Sequence, residues 1–193
     1  MDGRELRSVR HLTRPLGSND RPGSEGAVMI KVLVAYASER GGTAEIADWI
    51  GAALRQAGVD ADVRPAGEVP DLDGYDAAVV GGALYAGRWP RQARQFVRRH
   101  TDELAQRPVW LFSSGPLDRS AEERTIDPAP GVARLARRLT ARDHATFGGR
   151  LAPDAKGFLA SKIAQRSGGD YRNRAHVTEW ATAIAHDLQS AAA

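Results

Sequence analysis

The chain has 193 residues, no cysteine and a formal net charge of +3 at pH 7. That length supports one sizeable core rather than two, and the missing cysteines exclude disulfides, thiolate metal sites, iron–sulfur clusters and cysteine nucleophiles. The basic side chains are 24 arginines and 3 lysines, scattered without interleaved aromatics, so a pI of ≈ 9.6 does not point to a nucleic-acid partner.

Residues 1–28 carry Arg4, Arg7, Arg10, Arg14 and Arg21 and few large apolar side chains. They cannot bury much, and they read as a disordered or loosely attached tail. Asp2, Glu5, Asp20 and Glu25 argue against a targeting peptide. Met29 stands directly before the first apolar run. Translation starting there is an expectation, and a mass spectrum of the native protein tests it. Residues 29–190 are expected to form one domain. No secretory signal and no run of about 18 apolar residues are apparent, so a cytoplasmic protein is expected.

Ile30 to Tyr36 is a β-branched apolar run, too short for a helix, and reads as a buried strand. Ile46, Ala47, Ile50, Leu54 and Ala57 keep helical spacing, and Gly58 stops that helix. Val59–Val63 and Asp76–Gly82 read as the second and third strands. Ala93, Phe96, Val97, His100 and Leu104 form one helical stripe, and Pro108–Ser113 a fourth strand. Val132, Leu135, Ala136 and Leu139 mark another helix, and His144–Leu151 a fifth, weaker strand. Val177, Trp180, Ala181, Ile184 and Leu188 mark the last helix. Five alternations of strand and helix predict an α/β fold with a parallel sheet covered on both faces. Such a sheet binds ligands at the carboxyl ends of its strands.

Three small-residue loops follow those ends. The first is Ser38-Glu39-Arg40-Gly41-Gly42-Thr43, between a strand and a helix N-terminus. Backbone N–H groups and two hydroxyls there suit a phosphate monoester. A Gly-rich turn with Thr43 as N-cap is the structural alternative. No Lys follows the glycines and no Gly-x-Gly-x-x-Gly occurs, which argues against a P-loop or dinucleotide site. The second loop, Gly81–Pro90, carries Tyr85 and Trp89. A flat aromatic ligand could stack on Tyr85 or Trp89; Trp89 beside Pro90 is expected instead to pack on the following helix, and Tyr85 reads equally as a surface residue. The third is Ser113-Ser114-Gly115-Pro116-Leu117-Asp118, also readable as a turn entering a helix. The five histidines show no ligand spacing, and no Ser–His–Asp set emerges. A cofactor would therefore carry any chemistry.

The first loop resembles the phosphate loop of the flavodoxin family, in which Ser38, Gly41 and Thr43 match and Arg40 replaces a hydroxyl residue. The resemblance implies a flavodoxin-like, doubly wound five-stranded parallel sheet in the order 2-1-3-4-5, with FMN as cofactor. It implies Ser38 to Thr43 at the phosphate. It places Ala83, Leu84, Tyr85, Ala86 and Gly87 on one side of the isoalloxazine ring, and Ser113, Ser114, Gly115, Pro116 and Leu117 on the other. Over residues 30–188 the chain is similar to the menaquinone-dependent protoporphyrinogen oxidase branch of that family. Val79–Gly87, Gln95–His100, Ser167–Asp170, Trp180 and Ala183–Ala185 carry that similarity. It implies an FMN-dependent oxidoreductase in heme biosynthesis, taking electrons from a porphyrinogen-like substrate and passing them to a quinone. An electron carrier without its own substrate, or a flavin-free interaction module, are the alternatives.

Residues 151–166 occupy the place of that branch's added segment. Phe158, Leu159 and Ile163 could form one apolar helix face, with Lys156, Lys162 and Arg166 around it. That pattern reads either as peripheral membrane contact or as a helix packed on the sheet edge.

Overall fold

The alternation of apolar runs and amphipathic stretches becomes an alternation of strands and helices. The structure, a computed structural model, describes residues 29–151 and 169–192. Strands β1 (Lys31–Ala37), β2 (Asp60–Pro65), β3 (Ala77–Ala83), β4 (Val109–Ser114) and β5 (Asp143–Phe147) form one sheet in the order 2-1-3-4-5. All four pairings are parallel; Val34 lies opposite Val63 on one side and Val79 on the other. Helices α1 (Gly42–Gln56), α2 (Arg91–Arg99), α3 (Thr101–Leu104), α4 (Ser120–Glu123), α5 (Pro130–Leu139) and α6 (Arg174–Ala192) connect and cover it.

Strand alternation sorts the core into two layers. Val32 and Val34 of β1 face α1 and α6, and pack with Ile46, Ile50, Val177 and Ile184. Leu33 and Ala35 face the other way, toward Phe96 and Val97 of α2 and Val132 and Leu139 of α5. Each fully buried Leu, Ile or Phe contributes about 1.5–3 kcal/mol by burial. Truncating Phe96, which is 1% exposed, would cost about 3–5 kcal/mol. Trp180 ties α6 to the sheet edge: its indole N–H donates to Asp143 Oδ2 at 2.7 Å, and its ring meets Phe147 edge-on.

Two elements differ from the sequence expectation. The stripe from Ala93 to Leu104 is not one helix. It breaks at His100, where φ is −104° and ψ is 24°, and resumes as α3. His100 is buried, with its Nδ1 3.0 Å from Glu103 Oε1, and Leu104 still reaches the core.

The fifth strand ends at Phe147 rather than Leu151. The backbone carbonyl of Tyr171 stands against Gly148 where a Cβ would project, so only glycine fits there. The chain turns through Gly149, whose N–H donates to the Pro116 carbonyl at 2.7 Å. A separate short strand β6 (Arg150–Leu151) then pairs antiparallel with β7 (Gly169–Asp170). The segment carrying Phe158, Leu159 and Ile163 lies outside the described residues, as does the segment 1–28. No helix among the described residues is long and apolar enough to cross a membrane.

Candidate functional site

Each of the three predicted loops leaves the carboxyl end of a strand, and neighbouring strands put them side by side. Ser38 follows β1, and the chain bends at Gly41, whose φ is +78°. That left-handed conformation suits glycine and turns the next residues into α1. The N-cap is Gly41 rather than Thr43, and no side chain among the described residues caps the helix. Its carbonyl accepts from Glu45 N at 3.2 Å. Thr43 lies within the first turn and is buried. Among the described residues the first-turn N–H groups therefore have no side-chain cap, and the helix dipole adds partial positive charge.

The loop after β3 is a tight turn. Tyr85 and Arg88 exchange two backbone hydrogen bonds, of 2.9 and 3.0 Å, with positive φ at Ala86 and Gly87. This is the geometry of a two-residue hairpin turn, and Ala86 holds it at some cost in strain. Leu84 N donates to Ser114 O at 2.7 Å, which joins this loop to the one after β4. Tyr85 stays 36% exposed. Partial burial pushes its phenol pKa up, Glu39 adds to the rise, and Arg40 opposes it.

The loop after β4 is held from the other side. Gly115 N donates to Phe147 O at 3.1 Å, and Gly149 N to Pro116 O at 2.7 Å. Alternation along β4 separates the two serines. Ser114 lines the open cleft, while Ser113 is fully buried. Ser113 Oγ accepts from the Trp89 indole N–H at 3.0 Å and lies 3.0 Å from His144 Nε2. Trp89 thus packs into the core, as its place beside Pro90 predicts.

Together the loops enclose a cleft of ≈ 430 Å³, within the usual range for small-molecule sites, about 300–1,000 Å³. Of the predicted residues it brings together Ser38, Arg40, Gly42, Thr43, Ala83, Leu84, Tyr85, Ala86, Ser114, Gly115 and Leu117. Glu39, Gly41, Gly87, Ser113 and Pro116 are not among its lining residues.

Sequence reasoning missed the fourth wall, made by Gly149, Arg150 and Leu151. It also missed the side chain that braces this wall. The Arg172 side chain is 3% exposed, donates to Glu45 Oε2 at 2.6 Å and to the Gly42 carbonyl at 3.1 Å, and pairs with Asp170 at 2.7 Å. Its guanidinium lies 5.1 Å from the centre of the Trp49 ring. These contacts tie the end of β7 to the start of α1. The Arg172 hydrogen bonds hold the Asp170 carboxyl below its ordinary pKa.

Glu45, the acid in the first turn of α1, is engaged by Arg172 and lies 3.6 Å from Arg150. No Asp or Glu lines the cleft among the described residues, whereas Arg40 and Arg150 do. The walls are uncapped amides, hydroxyls, two cations and an apolar pair, Leu84 and Leu117. They suit a flat, partly apolar ligand with a phosphate at one end.

A flavodoxin domain family model matches residues 33–166. The protoporphyrinogen IX dehydrogenase [quinone] of Escherichia coli strain K12 is 29% identical over 98 residues, which are 50% of this chain and 54% of that protein. The chain thus spans about half the length of the curated relatives it matches. A flavodoxin from Pseudomonas aeruginosa, solved as a cysteine-to-serine mutant, superposes with a TM-score of 0.57 at 19% identity, covering 83% of this chain and 99% of that one. An archaeal flavodoxin gives a TM-score of 0.55 at 16% identity, with the same two coverages of 83% and 99%. At those identities the two structures speak to the fold alone.

Proposed function

The chain belongs to the flavodoxin domain family, and on that premise we propose that it is an FMN-dependent oxidoreductase. It would take electrons from a reduced organic substrate, with a porphyrinogen as the first candidate, and deliver them to a quinone. FMN is the cofactor. The cleft fits it chemically: an uncapped helix N-terminus for the phosphate, and an apolar and aromatic slot between two loops for the ring system.

Bound FMN supplies reversible two-electron chemistry that no side chain offers. In each cycle the substrate would lose two electrons and two protons, and the quinone would gain both. The remaining work belongs to the protein. The N–H groups of the first turn of α1 and the hydroxyls of Ser38 and Thr43 would hold the phosphate. Tyr85 and Leu84 would wall one side of the ring, and Gly115 and Leu117 the other. Arg172 keeps Gly42 in place and holds the Glu45 carboxylate.

The observation that carries this reading is the charge of the cleft. Arg40 and Arg150 line it without a carboxylate among the described lining residues. Cationic walls favour added negative charge, and so favour the two-electron reduced cofactor. A carrier of very low potential would need the opposite surroundings.

The direct test is anaerobic mixing of the FMN-loaded chain with protoporphyrinogen, followed by menaquinone. The reading predicts loss of the flavin absorbance near roughly 450 nm, a property of the oxidised cofactor, then its return on adding quinone. Failure at the first step removes the porphyrinogen, and failure at the second removes the quinone.

A further inference from the structure

A second concavity lies on the face of the sheet covered by α2 and α5. It is a groove of ≈ 740 Å³, larger than the cleft. Its floor includes the apolar side chains of Val97, Val132 and Leu135. Its rim is cationic. Arg94 and Arg98 stand one turn apart on α2, Arg134 and Arg138 one turn apart on α5, and Arg88 joins them from the β3 turn.

No Asp or Glu lines the groove among the described residues, and neither α2 nor α5 contains one. None of the five arginines forms an ion pair among the described residues. Arg94 is anchored at the groove, because its Nε donates to the Trp89 carbonyl at 3.1 Å.

This arrangement works against local stability. Like charges four residues apart on a helix repel, and here two such pairs border one hollow. An apolar floor beneath them focuses the positive potential instead of dispersing it. Guanidinium groups present a planar fork of donors that matches a carboxylate or a phosphate in two-point contact. The floor can cover an apolar body at the same time. The groove also meets the cleft, because Ala86 at the tip of the β3 turn lines both.

We propose that the groove between α2 and α5 binds an organic polyanion with an apolar body and two or more carboxylate or phosphate groups. Resting on the function proposed above, that molecule is the reduced substrate, held by its acidic groups while its reactive part reaches the cleft past Ala86. Arg88, Arg94, Arg98, Arg134 and Arg138 bind and position it, and the electrons leave it at the cleft.

The test uses the full chain loaded with FMN and two fluorescent probes. Mesoporphyrin carries two carboxylates on an apolar ring, and NADH carries a diphosphate; mesoporphyrin dimethyl ester is the uncharged control. The groove variant is Arg98→Gln/Arg138→Gln. The control variant, Arg99→Gln/Arg137→Gln, removes the same charge from the same helices outside the groove lining.

The expected result is saturable binding of at least one acidic probe, weakened about tenfold or more in the groove variant. The control variant should change it by less than about twofold. Tighter binding of mesoporphyrin assigns carboxylates, and tighter binding of NADH assigns phosphates. Equal weakening in both variants, equal binding of the ester, or binding to anionic phospholipid vesicles but to neither probe overturns the proposal. FMN absorbance after desalting reads the cleft separately. A chain that loses FMN but keeps groove-dependent probe binding overturns the proposed function and leaves the anion site standing.

Discussion

Replacing Gly41 by valine probes the phosphate loop through its backbone. Gly41 has φ +78° and ψ −21° and forms the N-cap of α1. Among the described residues, a Cβ placed there meets nothing within 4 Å. Space is therefore not what excludes a side chain; conformation is. A β-branched residue in this region is a strong outlier, at a cost of about 1–3 kcal/mol.

That cost can appear in two places. If the loop keeps its shape in the FMN-free protein, folding bears it, and Tm falls by roughly 2–4 °C per kcal/mol for a domain of this size. If the loop relaxes without ligand, binding bears it, and FMN affinity weakens by about 5- to 150-fold. The sum of the two should stay near the strain itself. FMN fluorescence quenching measures the affinity, and thermal denaturation of the FMN-free protein measures the rest. Gly41→Asn should lose much less, because asparagine tolerates left-handed geometry. A valine variant with unchanged Tm and unchanged affinity would refute the loop assignment.

The Arg172 clamp gives a second prediction. Arg172→Ala leaves Glu45 and Asp170 without their buried cation, and should cost about 2 kcal/mol in unfolding, or roughly 4–8 °C in Tm. Arg172→Lys should not restore it, since one ammonium cannot reproduce the forked contacts; full rescue by Lys would contradict the geometry. Asp170 adds a pH dependence. Its folded pKa lies below the ordinary 3.8, so its stabilisation is present above that value and is lost as pH falls through the folded pKa. Arg172→Ala should flatten this acid limb in urea titrations. Burial likewise pushes the His144 pKa below 6.5. The unfolded chain takes up that proton first, so stability should fall as pH drops below 6.5, and His144→Gln should remove that slope. Trp89→Phe deletes the hydrogen bond to Ser113 and should cost about 1 kcal/mol, read as a shift in the urea midpoint.

The sheet was legible because parallel strands buried on both faces read as uninterrupted apolar runs. Val32–Ala35, Ala77–Val80 and Val109–Phe112 are such runs, and all are buried. The three loops were legible as a consequence, since they begin where the runs stop. Alternation along β4 is legible in the same way: Ser113 and Ser114 point to opposite faces, and of the two Ser114 lines the cleft.

Other features depend on partners far away in the chain. The end of β5 is set by the Tyr171 carbonyl against Gly148. The break at His100 interrupts a stripe whose apolar spacing continues to Leu104. Arg172 meets the Gly42 carbonyl across 130 positions, and Arg150 reaches the cleft through the same refolding of the chain. Among so many arginines, nothing local distinguishes these two.

The midpoint potential of bound FMN tests the cationic cleft most directly. Potentiometric titration of the FMN-loaded protein should give a two-electron potential above that of free FMN. Arg40→Gln and Arg150→Gln should each move it downward. A bound potential below that of free FMN, unmoved by either substitution, would contradict the account.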